Sequence, residues 1–244
     1  MANPKTKQWF HDFFADCWFG PNHVLLHHVD FVWQALKLRK GTPVLDIPCG
    51  DGQMAIQLAR RGCTVTGIDQ QPLFIHKAKR RFMKEGLPGV FRREDMRSLS
   101  EVGRYGAVCN WFNSFGYFSE KENLETLRLF ARALKPGGRL LITQNNRAAY
   151  LRKYAKANNA VFEDGVIRKQ IIWDDQAKRF RSTFTRAKNG ATQTCQIDHR
   201  LYSRREFEKM FQAAGLEIDN IYGNVDFSPY NQASHRILMV GVKR

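Results

Sequence analysis

The chain has 244 residues, 43% of them hydrophobic and 12% aromatic, which supports one substantial core and excludes a disordered chain. No apolar run approaches the ~20 residues needed to span a bilayer, and the N-terminal stretch lacks an apolar signal core, so a cytoplasmic protein with no membrane association is expected. With 39 Lys and Arg against 23 Asp and Glu, the net charge of +16 admits polyanions, RNA among them, as partners.

The basic residues are spread along the whole chain, and their densest cluster, Lys77, Lys79, Arg80, Arg81 and Lys84, reads as the solvated face of a helix. The cysteines at 17, 49, 63, 109 and 195 are odd in number and contain no Cys-x-x-Cys pair. Reduced thiols are expected, with neither a disulfide framework nor a metal site.

In chain order, residues 8–19 (QWFHDFFADCWF) are dense in aromatics, and 24–38 reads as a helix ending near Lys40-Gly41. The period then changes. A short buried strand (44–47) leads through a glycine turn into a helix (53–61), followed by a strand (63–69) and a helix (72–86) that opens at Pro72 and stops at Gly86. Residues 90–95 read as a strand and turn, 107–111 as a buried strand, 122–134 as an amphipathic helix ended by LKPGG, and 139–143 as a strand. Alternating strands and helices with short connections predict a parallel sheet covered on both faces. Beyond residue 150 the pattern becomes three strands, 166–173, 179–186 and 191–202, with turns at Asp174-Asp175 and Asn189-Gly190. A helix over 203–215 carries a Ser203/Glu206 capping box and ends at Gly215, and strands at 216–223 and 236–243 close the chain.

VLDIPCGDGQMA (44–55) is the most informative segment. A buried strand runs into a turn with Gly50 and Gly52, and a helix follows at once. Small residues let a ligand approach the backbone, and the helix start offers unpaired N–H groups and a positive dipole end. Asp69 ends the next strand, where a carboxylate accepts both hydroxyls of a ribose. Taken alone, Gly50-x-Gly52-x-x-Ala55 with Asp69 also fits the dinucleotide fingerprint of a nicotinamide enzyme, and a tight structural turn is the plain alternative.

Further residues separate these readings: Asp46 inside the first strand, the acidic turn Glu94-Asp95-Met96 after the third, and LKPGG before the fifth. With them the sequence resembles the class I S-adenosylmethionine-dependent methyltransferases, over roughly residues 40–145. Residues 44–52 are similar to the family's glycine-rich motif, Asp69 to its ribose acid, and Asp95-Met96 to its adenine-contacting turn. NWFNSFGYF (110–118) is similar to the segment after the fourth strand in small-molecule members. The resemblance implies S-adenosyl-L-methionine as cofactor, held by Asp46, Pro48, Cys49, Gly50, Gly52, Asp69, Gln70, Asp95, Met96, Asn110 and Trp111. Pro48 stands where the family has its first glycine.

The expected fold is therefore an α/β doubly wound, mostly parallel seven-stranded sheet with an inserted antiparallel meander of three strands. The expected division is an N-terminal helical lid (1–40), a cofactor-binding core (41–150 and 203–244) and the inserted sheet (151–202). The acceptor is expected to be a small molecule methylated at an amine or hydroxyl, with Phe10, Asn113, Phe115, Tyr117 and Arg147 as candidate contacts. Tyr117, His199 and His11 are candidate bases, although each also reads as an ordinary structural residue. RNA is the alternative acceptor, favoured by the charge alone. The stretch Asn110-Trp111-Phe112-Asn113 lacks the prolines of the motif found in enzymes that methylate exocyclic base amines. A cofactor-binding protein without catalysis is a further alternative, and a monomer or homodimer is expected.

Overall fold

The structure, a computed structural model, describes residues 26–154, 160–161, 167–188 and 191–244. Seven strands form the main sheet: β1 (Pro43–Asp46), β2 (Thr64–Asp69), β3 (Val90–Arg93), β4 (Tyr105–Asn110), β5 (Leu134–Asn145), β10 (Leu216–Tyr222) and β11 (Arg236–Lys243). Their spatial order is β10-β11-β5-β4-β1-β2-β3, and β11 runs antiparallel to both of its neighbours. The central strands pair in parallel, as the alternating pattern predicts.

Helices cover both faces, because the buried strands are apolar on both sides. On one face α1 (Leu26–Ala35), α2 (Gln53–Arg60) and α3 (Pro72–Lys84) bury Phe31, Leu58, Ala78 and Phe82 against Val44, Val65, Ala107, Leu141 and Leu238. On the other, α4 (Glu120–Ala133) and α6 (Arg204–Ala213) bury Leu127, Phe130, Phe207 and Phe211 against Leu45, Ile68, Val108, Leu140 and Met239. Capping boxes start both, Ser119 with Glu122 and Ser203 with Glu206. None of the helices among the described residues is long and apolar enough to cross a membrane.

The second sheet has four strands, not three: β6 (Ala160–Val161), β7 (Ile167–Asp174), β8 (Arg179–Lys188) and β9 (Ala191–Arg200), antiparallel in chain order. The extra strand is two residues long, too short for any alternation to reveal it. The Asn189-Gly190 turn lies outside the described residues. Helix α5 (Arg147–Tyr154) was not expected either. Its sequence, RAAYLRKY, has no apolar stripe, and it starts on the side chain of Asn146, whose Oδ1 accepts the Ala148 N–H at 3.1 Å. β5 begins directly at Leu134, so LKPGG is absorbed into the strand through an irregularity opposite Tyr105–Ala107.

The second sheet is fastened to the main one at the start of the segment after β4. Arg200 N–H donates to the Gly116 carbonyl at 2.9 Å, and the Arg179 guanidinium donates to the carbonyls of Phe118 and Gly116 at 3.0 and 3.2 Å. Gln144, 1% exposed, donates to the Arg200 carbonyl at 2.7 Å and accepts the Tyr202 N–H at 2.8 Å. Arg200 itself is buried over the Tyr202 ring and pairs with Glu206 at 2.5 Å and Glu120 at 2.8 Å.

Candidate functional site

The strand order reverses between β1 and β4: the chain moves outward through β2 and β3, then returns to the other side of β1. A sheet of this kind opens a crevice there, at the carboxyl ends of the strands. The loop 47–52 and the segment 110–113 both begin at those ends.

The glycine loop hangs from both neighbouring strands. Ile47 N–H donates to the Cys109 carbonyl and Cys49 N–H to the Ile68 carbonyl, each at 2.9 Å. The Ile47–Pro48 peptide is cis, and Gly50 and Gly52 have φ of 53° and 80°, values that favour glycine. Gly52 caps α2. A Cβ there would lie 2.9 Å from the Ala78 Cβ, so the glycine also lets α3 close on the loop.

Three carboxylates gather around this loop. Asp69 ties it to α3: one oxygen accepts the Gly50 N–H at 2.9 Å and the other the Gln71 N–H at 2.8 Å. Burial raises its pKa to about 6, with the two backbone hydrogen bonds pulling the other way. Asp51 is paired with Arg81 of α3 at 2.8 Å and accepts from Gln53 at 3.2 Å. Asp46 is 1% exposed, and its Oδ2 has no partner among the described residues. Burial, then the charge of Asp69, raises its pKa to about 8. Buried polar atoms are almost always satisfied. An unpaired carboxylate oxygen beside a second buried acid is therefore a place for hydroxyls and a positive charge. Ribose hydroxyls and the cationic end of S-adenosylmethionine supply both, so these residues fit the cofactor that the sequence resemblance implies.

Of the remaining expected cofactor residues, Cys49 is a buried thiol whose pKa burial raises, and Gln70 accepts Arg93 Nε at its carbonyl. Asp95 begins a short turn by accepting the Arg97 N–H at 2.9 Å, and it also pairs with the Arg97 guanidinium at 2.6 Å. Met96 lies in the core below. Asn110 is fully buried, with its Nδ2 donating to the Ile47 carbonyl at 2.7 Å and its Oδ1 unpartnered. Trp111 packs against Phe31 and His28 of α1, and its indole N–H is also buried without an acceptor.

The next two residues, Phe112 and Asn113, both adopt left-handed φ, 56° and 58°. This is uncommon for asparagine and strained for phenylalanine. The Asn113 side chain accepts the Asn145 N–H, and its own N–H donates to the Thr143 carbonyl at 3.2 Å, so β5 holds the segment in this shape.

The candidate acceptor contacts are dispersed. Phe115 is 1% exposed and packs with Tyr202 and Phe207 in the core. Arg147 pairs with Glu206 at 2.8 Å. Tyr117 stacks on His199 at 4.6 Å between ring centroids. Phe10 and His11 lie outside the described residues.

Two of the candidate bases, Tyr117 and His199, lie against each other. His199 Nε2 lies 2.7 Å from the Phe115 carbonyl. A carbonyl only accepts, so that nitrogen carries the proton and any base role falls to Nδ1. Burial raises the Tyr117 hydroxyl pKa, which keeps it protonated at neutral pH.

A row of aromatics that alternation alone did not single out crosses the second sheet. Trp173, Phe180 and His199 are cross-strand neighbours on β7, β8 and β9. Tyr150 of α5 meets Phe180 at 4.6 Å, and Tyr117 covers His199.

Residues 44–138 match a family model described as a methyltransferase domain. A putative methyltransferase, YqeM, from Bacillus subtilis (strain 168) is 33% identical over 111 residues, 45% of this chain and 44% of that protein. The chain thus spans under half the length of that relative. A cypemycin N-terminal methyltransferase from Streptomyces sp is 25% identical over 205 residues, 82% of each chain. The crystal structure of a S-adenosylmethionine-dependent methyltransferase from Clostridium acetobutylicum ATCC 824 superposes with a TM-score of 0.78 at 15% identity, covering 97% of this chain and 98% of that one.

Proposed function

From the premise that the chain carries a class I S-adenosylmethionine-dependent methyltransferase domain, we propose that it methylates an amine or hydroxyl of a small molecule. When bound, the cofactor supplies a sulfonium-activated methyl group. Asp69 would hold the ribose hydroxyls and Asp46 would face the positive charge, while Gly50 and Gly52 keep the loop open to close approach. The protein's remaining tasks are to orient the acceptor and exclude water.

One observation carries the small-molecule reading: the aromatic row Trp173–Phe180–His199, with Tyr117 and Tyr150 against it. These five side chains come from the segments that follow β4 and β5 and from the sheet fastened above them. They would form an apolar wall on which a compact acceptor would pack. The name of the relative aligned over 82% of this chain, an N-terminal methyltransferase, favours an amine. A neutral amine attacks without prior deprotonation, so such an acceptor needs no base.

The test is calorimetric titration with S-adenosylmethionine and with NADH, followed by an acceptor screen reading S-adenosylhomocysteine. Micromolar affinity for the first ligand alone, with turnover on small amines or phenols, is expected. Binding of NADH would overturn the cofactor assignment, and turnover confined to RNA would overturn the acceptor class.

A further inference from the structure

Arg236 opens β11 opposite Asn145, at the carboxyl end of β5 and beside the segment 110–113. Its guanidinium carbon lies 5.7 Å from the centre of the Phe112 ring. It is half-buried, and desolvation lowers its pKa with no carboxylate acting against it. Among the described arginines that are not exposed, its side chain alone makes no hydrogen bond and no ion pair with a described residue. The others are matched: Arg61 with Asp30, Arg81 with Asp51, Arg92 with Glu101, Arg97 with Asp95, Arg139 with Asp219, Arg147 and Arg200 with Glu206, Arg179 with Asp198.

A second donor without an acceptor borders the same ring. Trp111, 4% exposed, packs on Phe112 at 5.6 Å, and its buried indole N–H has no partner among the described residues. The ring between these donors is held in place by the left-handed pair Phe112–Asn113 and by Asn113's bond to Asn145 N–H. Two donors, the Arg236 guanidinium and the Trp111 indole, thus flank one ring. Leaving a desolvated cation unpaired is costly, and a guanidinium fork matches a carboxylate or phosphate.

Building on the methyltransferase reading, we propose that Arg236 receives the carboxylate or phosphate of the methyl acceptor, so that the acceptor is an anionic small molecule. The cofactor's own carboxylate offers the same chemistry. However, β11 is separated from β1 and its glycine loop by β5 and β4, three strand spacings or about 14 Å, which favours the acceptor as the source.

The test compares the full chain with Arg236→Gln and Arg236→Lys. S-adenosylhomocysteine and 5′-methylthioadenosine, which lacks the carboxylate, are titrated into each. Both are expected to bind Arg236→Gln within about two-fold of the unmutated protein. A ten-fold loss for S-adenosylhomocysteine alone would assign Arg236 to the cofactor and overturn the proposal. If the unmutated protein binds neither, the methyltransferase reading fails and this inference falls with it.

With S-adenosylhomocysteine saturating, benzoate, phenyl phosphate and neutral benzamide are then titrated. Anion affinity should fall at least ten-fold in Arg236→Gln and recover in part in Arg236→Lys, with benzamide binding weakest throughout. Equal affinity for benzoate and benzamide, no anion binding by the unmutated complex, or no effect of Arg236→Gln would each overturn the proposal. The thermal midpoint of ligand-free Arg236→Gln should equal or exceed that of the unmutated protein, because an uncompensated charge has been removed. A lower midpoint would show that Arg236 has a structural partner and would also overturn it.

Discussion

Asp46 combines complete burial, an unpartnered oxygen and a neighbouring acid in one side chain. Its pKa of about 8 lies far above its ordinary 3.8, and that of Asp69 rises to about 6. Folding therefore favours the protonated acids, and the stability they contribute is fully present below the unfolded pKa and lost as pH rises through the folded values. The thermal midpoint of the ligand-free protein should fall between pH 5 and 8.5, and Asp46→Asn should flatten the part of that fall above pH 6. A flat profile, or one unchanged in Asp46→Asn, would remove Asp46 as the cause. A bound cation reverses the preference, so stabilisation by S-adenosylmethionine should grow over the same interval. Asp69→Ala removes charge-assisted hydrogen bonds worth about 1.5–3 kcal/mol each, and cofactor affinity should drop by at least about ten-fold. Unchanged affinity in a folded variant, measured by calorimetry, would refute the ribose assignment. Both acids were legible in the sequence, because a strand-ending acid at a fixed distance from a glycine turn is a local pattern. Arg236 was not. Its significance depends on which side chains fail to reach it, and only the tertiary structure determines that.

Gly116 sits where the second sheet is attached, its carbonyl accepting from Arg200 N–H and the Arg179 guanidinium. Gly116 has φ of 108°, and a Cβ there would lie 2.2 Å from the Arg200 carbonyl oxygen, which belongs to backbone and cannot swing aside. Gly116→Ala should destabilise the protein by about 1–3 kcal/mol from backbone strain alone. For a chain of this size, that lowers the thermal midpoint by roughly 2–4 °C per kcal/mol. The loss should concentrate in β7–β9, where amide exchange should quicken while β1 and β4 stay protected. Uniform loss of protection would show that the two sheets unfold as one unit. The strands of this sheet were legible from alternation, whereas their docking was not. It is made by Gln144, Arg179 and Arg200, each of which reads in the sequence as an ordinary polar residue. Helix α5 escaped for a related reason: it is set by the Asn146 cap, whose amide also donates to the Ser234 carbonyl at 2.7 Å, and not by any periodicity of its own.

At the scale of the molecule, the alternation of short apolar strands and amphipathic helices dictated the main sheet, and the reversal at β1 and β4 put the site where it is. The net charge of +16 is an excess that ion pairing leaves in place, so its meaning for partners depends on where the unpaired cations lie. Arg60, Arg61, Arg92, Arg97, Arg128, Arg139, Arg147, Arg179, Arg200 and Arg204 all sit in ion pairs. Their charge is matched locally, which leaves the excess on cations outside these pairs. Among the described residues, the outer face of α3 exposes a cluster of four cations, Lys77, Lys79, Arg80 and Lys84. Four phosphate contacts there would give log affinity for single-stranded RNA a slope of about −3 against log salt, since each contributes roughly −0.7. RNA affinity measured between 50 and 300 mM salt should therefore be weak and no steeper than this. A tight complex with a markedly steeper slope would need more cations than α3 provides, and would move the acceptor from an anionic small molecule to a nucleic acid.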